Sequence, residues 1–179
     1  MTRAELILYA TPTGALGAAL DRIFGRIADR GPTTAQDYPP HCTLTGFFHR
    51  HHDEIPRIVA EVDEAVAEIG PPPERAVDVV SLHRRADWIG LELASDWLHA
   101  VTAAFVAVHR VDAGDDALRP KVWLHLSIGY GVDDLTAADA AARELDPTVA
   151  APWEIALWQR HRDGHWSRPS RRRLPRPAP

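Results

Sequence analysis

The sequences His41-Cys42-Thr43-Leu44-Thr45-Gly46-Phe47 and His125-Leu126-Ser127-Ile128-Gly129-Tyr130 share one pattern and begin 84 residues apart. Each consists of a histidine, an apolar residue, a hydroxyl residue and an apolar residue, with a glycine soon after. Apolar and polar positions that alternate with period two predict a strand. On such strands His41 shares a face with Thr43, and His125 shares a face with Ser127.

The elements around these two motifs are also predicted to repeat. In each half a strand is followed by a helix, the motif strand and a second helix, in the same order and at nearly the same spacing. The predicted elements are strand 7–10, helix 14–29 and helix 54–69 in the first half, and strand 91–94, helix 96–110 and helix 135–145 in the second.

This repetition predicts an α+β fold with two lobes, at about 5–70 and 88–150, in which duplicated strand–helix–strand–helix modules form two sheets around a central cleft. Further strands are expected at 75–83, 87–94 and 153–159, and Asp163-Gly164 is a hairpin signal. Each half has only about 75 residues, which is small for an independent core. We therefore expect residues 1–166 to form a single bilobal domain.

The net charge of −5 is distributed unevenly along the 179 residues. Residues 160–179 carry seven arginines and one aspartate, a local charge of +6, whereas the other residues carry −11. The negative charge of residues 1–159 disfavours stable binding of DNA or of long RNA, because such binding depends on neutralising phosphates. The basic, proline-rich segment 167–179 is expected to be an extended, disordered tail.

Composition sets the remaining expectations about location and partners. No apolar run approaches the roughly 18 residues that a membrane span needs, and the N-terminus lacks a signal-peptide pattern. The chain has one cysteine, so it contains no internal disulfide, and a cytoplasmic location is expected. We expect a monomer with no membrane partner.

Two imidazoles, each beside a hydroxyl group, are suited to acid–base chemistry on a phosphate ester. One histidine removes a proton from the attacking group and the other donates a proton to the leaving oxygen. Thr43 and Ser127 would then donate hydrogen bonds to the non-bridging phosphate oxygens. This predicts His41, His125, Thr43 and Ser127 as the catalytic residues, and the alternative for each histidine is a structural role.

Aromatic residues near the motifs are candidates for substrate binding. Trp123 has the strand parity of His125, and Phe47 has that of His41, so either could stack on a base, with a core position as the alternative. Simple parity turns Tyr130 away from His125, but a bulge at Gly129 would return it to the same face.

The histidine-rich segment after the first motif predicts no metal site, and no cofactor is expected. His49, His51 and His52 have a spacing that matches no common ligand pattern. Cys42 lies on the opposite face of its strand from His41, so it is expected to be buried rather than nucleophilic. Solvated charge is the expected role of Lys121, Arg84 and Arg85, with a phosphate contact as the alternative.

The pair His41-Cys42-Thr43-Leu44 and His125-Leu126-Ser127-Ile128 resembles the two histidine–x–Thr/Ser–x signatures of the two-histidine (2H) phosphoesterase superfamily. Its members include RNA ligase/cyclic phosphodiesterases of the LigT type and the cyclic phosphodiesterases of plants and yeast. LigT-type proteins tend to have an arginine where this sequence has Tyr130. Tyr130 and the Pro39-Pro40 pair are more similar to the plant and yeast branch.

The resemblance implies a bilobal fold with one motif from each lobe. It also implies a metal-independent cyclic phosphodiesterase in which His125 is the base and His41 the acid, with Tyr130 at the substrate. The expected substrate is a 2′,3′-cyclic nucleotide, an RNA 2′,3′-cyclic phosphate end or a cyclic phosphate of ADP-ribose. The alternatives are a nucleotide-binding module without turnover, and an exonuclease or ligase that acts on RNA ends.

Overall fold

The fold is a mixed α+β arrangement, seen in a computed structural model that describes residues 3–73, 75–109, 117–149, 151–169 and 172–173. The strands are β1 (Arg3–Pro12), β2 (Cys42–Thr43), β3 (Phe48–His51), β4 (Asp78–Arg84), β5 (Trp88–Ala94), β6 (Leu124–Tyr130), β7 (Trp153–Arg160), β8 (Trp166–Ser167) and β9 (Arg172–Arg173). The helices are α1 (Gly14–Arg30), α2 (Ile55–Ile69), α3 (Asp96–Val108) and α4 (Thr136–Ala142), with short 3-10 turns at Thr34–Asp37 and His52–Glu54.

The described strands form one antiparallel sheet, not the two sheets that the sequence led us to expect. Its order is β4-β5-β6-β2-β1-β7-β8, with β3 also paired to β1 and β9 to β7, and it does not close into a barrel. The two halves join because the motif strands pair with each other, with Cys42 opposite Leu126. A hydrogen-bonded pair at this point fuses the two expected sheets into one.

Reading outward from that central pair, the sheet has a similar arrangement on both sides. β2 is followed by β1 and β7 on one side, and β6 is followed by β5 and β4 on the other. Thr43 pairs with Tyr9, and Ser127 pairs with Gly90, so Tyr9 and Gly90 occupy corresponding places. A uniform shift of 84 residues therefore does not align β1 with β5, and the duplication of the modules stays a prediction.

The hydrophobic core lies on one face of the sheet, beneath all four helices. α2 packs against α3, and α1 packs against α4. The helices bury their apolar stripes as expected; in α3, Trp97, Val101 and Phe105 all face the core. Even-numbered residues of β1, such as Leu6 and Leu8, belong to the same core. No described helix is long and apolar enough to cross a membrane.

The opposite face of the sheet carries a second, smaller apolar cluster. It contains Tyr9 from β1 and Trp158 from β7, with Phe47 and Trp166 packed against it. Trp166 reaches this cluster because Gly164, at φ 82°, lets the chain turn back after β7 so that β8 pairs with it. The candidate site lies on this helix-free face.

Two short parts of the C-terminal segment are paired in strands, and the expected disorder of 167–179 stays a prediction. Ser167 is paired in β8, and Arg172–Arg173 pair with Glu154 and Ile155 of β7. The physical reason is that β7 offers backbone donors and acceptors to the returning chain. Residues 170–171 and 174–179 of the predicted tail, and Arg110 of the predicted helix 96–110, lie outside the described residues.

A buried polar network joins α2, β3 and the end of α3. His109 has a fully buried side chain that contacts the Glu61 carboxylate through Nδ1. Its Nε2 accepts a hydrogen bond of 2.9 Å from the Arg50 guanidinium. Both ring nitrogens are thus occupied, which makes the imidazole a connector between three elements.

We predict that His109→Ala lowers the free energy of unfolding by about 3 kcal/mol, because it leaves buried charged groups without their shared partner. Urea denaturation measures this change. His99→Ala, at an exposed position of α3, is the matched control and is expected to change stability by less than about 0.5 kcal/mol. Equal stability of the two variants would contradict a structural role for the network.

Candidate active site

The antiparallel pairing at the centre of the sheet brings four polar side chains together. Cys42 and Leu126 are directly opposite each other and are fully buried in the core. Because alternate residues of a strand point to opposite faces, the residues on either side of each point to the helix-free face. These four residues are His41, Thr43, His125 and Ser127, and all of them line one cleft.

The cleft has a volume of about 530 Å³ and lies across the junction of β2 and β6. Its lining combines the four motif side chains with aromatic and small residues. The other lining residues are Ala35, Asp87, Trp88, Trp123, Tyr130 and Gly131. A volume of a few hundred cubic ångströms is typical of sites for small organic ligands.

His41 is held by a hydrogen bond and by a stacked ring. Its Nδ1 lies 2.7 Å from the carbonyl oxygen of Pro39. A carbonyl only accepts, so Nδ1 carries a proton and Nε2 is the nitrogen left for chemistry. The Tyr9 ring stacks on the imidazole with centroids 3.8 Å apart.

His125 is held in the same manner in the other half of the site. Its Nδ1 lies 3.3 Å from the carbonyl oxygen of Trp123, again two residues before the histidine. The Trp123 indole stacks on the imidazole at 4.0 Å. The two histidines therefore share a tautomer in their neutral forms, and each has Nε2 available.

Burial lowers the pKa of both imidazoles. For His41 burial is the largest effect, the Pro39 carbonyl opposes it and the His125 charge adds to it, which leaves a pKa of about 4. Burial likewise lowers the pKa of His125, the Trp123 carbonyl opposes the change and the Lys121 charge adds to it. The charge on His125 thus disfavours a proton on His41, in the same direction as burial.

A β-bulge brings Tyr130 into the cleft. Ile89 pairs with Gly129 and Gly90 pairs with Ser127, so Ile128 is an extra residue on β6. The extra residue reverses the parity of the rest of the strand, and Tyr130 lines the cleft with Ser127. Burial, with smaller contributions from Tyr38 and Asp37, raises the pKa of Tyr130 to about 12, so its hydroxyl keeps its proton and can donate.

The two other aromatic candidates have different positions. Trp123 lines the cleft and keeps 39% of its surface exposed. Phe47 is absent from the described lining of the cleft; its ring packs against Trp166 at 6.1 Å and beneath the Arg160 guanidinium at 4.5 Å. Its strand parity is that of His41, but β2 ends at Thr43, so the parity no longer applies at position 47.

Sequence reasoning missed two aromatic residues of the site. Tyr9 stacks on His41. Its strand was predicted from the sequence, but no role in the site was predicted for Tyr9. Trp88 lines the cleft, packs edge-on to His125 at 5.6 Å and donates a hydrogen bond of 2.9 Å to the Ser127 hydroxyl. The local sequence around Trp88 contains no signal for this contact, because it depends on the register of β5 against β6.

The three basic candidates from the sequence have different surroundings. The Arg85 guanidinium is 5.8 Å from the Trp88 ring and 5.5 Å from the Trp123 ring, close enough for cation–π attraction to both. Arg84 instead pairs with Asp139 at 2.5 Å. Lys121 acts through its charge on His125. Of these three basic residues, Arg85 is the one that contacts the aromatic side chains of Trp88 and Trp123.

Within the described ranges, no three His, Cys, Asp or Glu side chains come together as a metal-ion site. The His49 Nε2 atom lies 3.9 Å from a carboxylate oxygen of Glu5. Cys42 is buried, and burial raises the pKa of its thiol to about 12, which keeps it protonated and unreactive at neutral pH.

Comparison of the sequence with protein-family models and with curated proteins finds no match.

We predict that His41 titrates near pH 4 and His125 below pH 6.5 in the free protein, because burial disfavours both imidazolium ions. Two-dimensional proton–nitrogen NMR of the imidazole rings measures both values and the tautomers. In His125→Ala the pKa of His41 is expected to rise, since the neighbouring charge is gone. A His41 pKa at or above 6.5 would contradict the buried, carbonyl-bonded arrangement.

Proposed function

We propose that this protein is a metal-independent phosphodiesterase that hydrolyses a cyclic phosphodiester by two-histidine acid–base catalysis. The observation that carries the proposal is the convergence of His41, Thr43, His125 and Ser127 in one cleft. Two imidazoles with free Nε2 atoms and two hydroxyl donors are the groups that opening a cyclic phosphate requires. The resemblance of the motifs to the 2H phosphoesterase superfamily supports the same reaction.

The proposed reaction moves two protons. One imidazole removes a proton from water as its oxygen attacks phosphorus, and the other donates a proton to the sugar oxygen as its bond to phosphorus breaks. Attack and departure are roughly in line, so the imidazoles must flank the phosphorus. Histidines on two antiparallel neighbouring strands fit that requirement. A water molecule is consumed, and the product is a phosphomonoester with one free hydroxyl.

Hydrogen-bond donors would stabilise the negative charge on the phosphate. Thr43 and Ser127 line the cleft and would donate to the non-bridging oxygens, and the protonated Tyr130 hydroxyl would be a third donor. Donors that are fixed before the substrate arrives need little reorganisation during the reaction. The exposed face of Trp123 is suited to stack on a base.

Two arguments lead to opposite assignments of the base and the acid. The resemblance implies that His125 is the base and His41 the acid. Burial favours the reverse, because it lowers the pKa of His41 to about 4 and so favours its neutral, proton-accepting form. A bound anionic phosphate favours the imidazolium at both positions. Both assignments require one neutral and one protonated imidazole.

The proposed substrate is a small cyclic nucleotide, an RNA 2′,3′-cyclic phosphate end or a cyclic phosphate of ADP-ribose. The cleft volume of about 530 Å³ and the acidic charge of the chain outside residues 160–179 favour the small molecules over long RNA. We also propose that the protein is a monomer and is located in the cytoplasm.

We predict that the protein converts at least one 2′,3′-cyclic nucleotide or ADP-ribose cyclic phosphate in EDTA, and that His41→Ala and His125→Ala each lower kcat by about 100-fold or more. Phosphorus NMR measures the conversion and identifies the broken ester bond. His99→Ala, outside the cleft, is the matched control and should retain wild-type kcat.

The outcomes separate the alternatives for this cleft. Binding of a nucleotide without conversion would favour the binding module, and conversion that survives both histidine substitutions would refute the assigned site. Conversion only of RNA ends, with an affinity that falls steeply with salt, would favour an RNA-processing enzyme.

We also predict a bell-shaped dependence of kcat/KM on pH with its maximum on the acidic side of neutrality. The active form has one proton shared by the pair, so it forms as pH rises past about 4 and is lost above the pKa of His125, which lies below 6.5. Initial rates at low substrate concentration from pH 3.5 to 9 test this. A maximum near pH 8 would show that burial does not determine the pKa values of the two histidines.

A further inference from the structure

We propose that Trp88 is a positioning residue that orients the Ser127 hydroxyl toward the substrate phosphate. This inference rests on the proposed function, since it assigns a role within the same cleft. Trp88 is the first residue of β5 and reaches Ser127 on the neighbouring strand β6. It acts on the substrate through the serine.

The direction of the hydrogen bond determines where the serine proton goes. The Trp88 indole nitrogen lies 2.9 Å from Ser127 Oγ, and an indole N–H is a donor only. Ser127 Oγ is therefore the acceptor in this contact. Its single hydroxyl hydrogen remains available for another acceptor, and a phosphate oxygen bound in the cleft is well placed to be that acceptor.

Gly90 makes the contact possible. It is the residue opposite Ser127, and a Cβ added there would lie 2.4 Å from the Trp88 ring and 2.4 Å from the Leu126 carbonyl oxygen. Any side chain at position 90 would thus occupy the space that the indole crosses. The absence of a side chain lets Trp88 fold back over its own strand and reach Ser127.

The other half of the site uses its aromatic residue differently. Tyr9 stands opposite Thr43, in the place that corresponds to Gly90, and its ring stacks on His41. Tyr9 therefore supports the histidine of its half, whereas Trp88 holds the hydroxyl residue of its half.

The side chains of the two hydroxyl residues explain this difference. Thr43 is β-branched, so its χ1 rotation is restricted by its own methyl group. Ser127 has no such branch, and its hydroxyl can rotate among the staggered positions. The hydrogen bond from the indole N–H restricts the rotation of the Ser127 hydroxyl, as the methyl group restricts that of the Thr43 hydroxyl. This predicts that the function of Ser127 depends on Trp88.

The direct test is Trp88→Phe, which keeps an aromatic ring and removes the N–H donor. We expect kcat for the best cyclic phosphate to fall about 5- to 10-fold, the loss that corresponds to one hydrogen bond, while KM changes less than about 2-fold. Trp97→Phe is the matched control: it removes an indole hydrogen bond of 3.2 Å to the Gly70 carbonyl, on the helical side of the sheet, and should retain wild-type kcat.

Action through Ser127 is tested by combining substitutions. In a Ser127→Ala background, Trp88→Phe is expected to have no further effect on kcat, because the group that it orients is gone. An equal loss of kcat in both backgrounds would overturn the proposal, as would wild-type kcat in Trp88→Phe itself. Failure of the proposed function is a separate outcome, since the wild-type protein would then convert no cyclic phosphate.

A spectroscopic measurement tests the contact without any turnover. In proton–nitrogen NMR spectra, the indole N–H signal of Trp88, assigned by its loss in Trp88→Phe, should shift upfield in Ser127→Ala, because its acceptor is removed. The Trp97 signal should stay in place. An unchanged Trp88 signal in Ser127→Ala would overturn the proposal whatever the kinetic results.

Discussion

The pairing of Cys42 with Leu126 is the constraint on which the rest of the structure depends. It joins the two halves into one sheet and fixes the faces of both motif strands at once. Because both residues are fully buried, a slip of one residue in either strand would expose an apolar side chain and bury a histidine. The core thus specifies the register, and the register brings the four polar side chains together. Stability and site geometry are set by the same pair.

The burial that fixes the site also determines its electrostatics. Each imidazole is stacked on an aromatic ring and bonded through Nδ1 to a carbonyl oxygen. The ring removes water from one face of the imidazole, and the carbonyl fixes its tautomer. Burial favours the neutral histidines, and it outweighs the carbonyl contacts, which favour the imidazolium. A bound phosphate anion would restore a proton to one of them, so substrate binding and proton uptake are coupled in the proposed reaction.

Much of the secondary structure was predictable from local patterns. Amphipathic periodicity gave α1, α2 and α3 nearly to their ends, because each buries one apolar stripe against the sheet. The motif histidines and hydroxyl residues were predicted to share faces, and the cleft contains all four. The number of sheets was wrong, since strand periodicity says which face is apolar but not which strands pair. Trp88 was missed for the same reason, whereas the cleft position of Tyr130 was foreseen only as a consequence of a possible bulge.

The position of β1 has a consequence for how the chain folds during synthesis. β1 is made first, yet its neighbour β7 is made last among the long strands, and Trp166 packs near Tyr9 only after β8 has turned back. Until residue 160 has left the ribosome, the apolar strand β1 has one unpaired edge, a surface prone to pair with other chains. The His41 half of the cleft, which Tyr9 supports, is completed only at that stage. A chain interrupted before β7 would therefore carry both histidine motifs, but the Tyr9 ring that stacks on His41 would lack Trp158 and Trp166 packed against it.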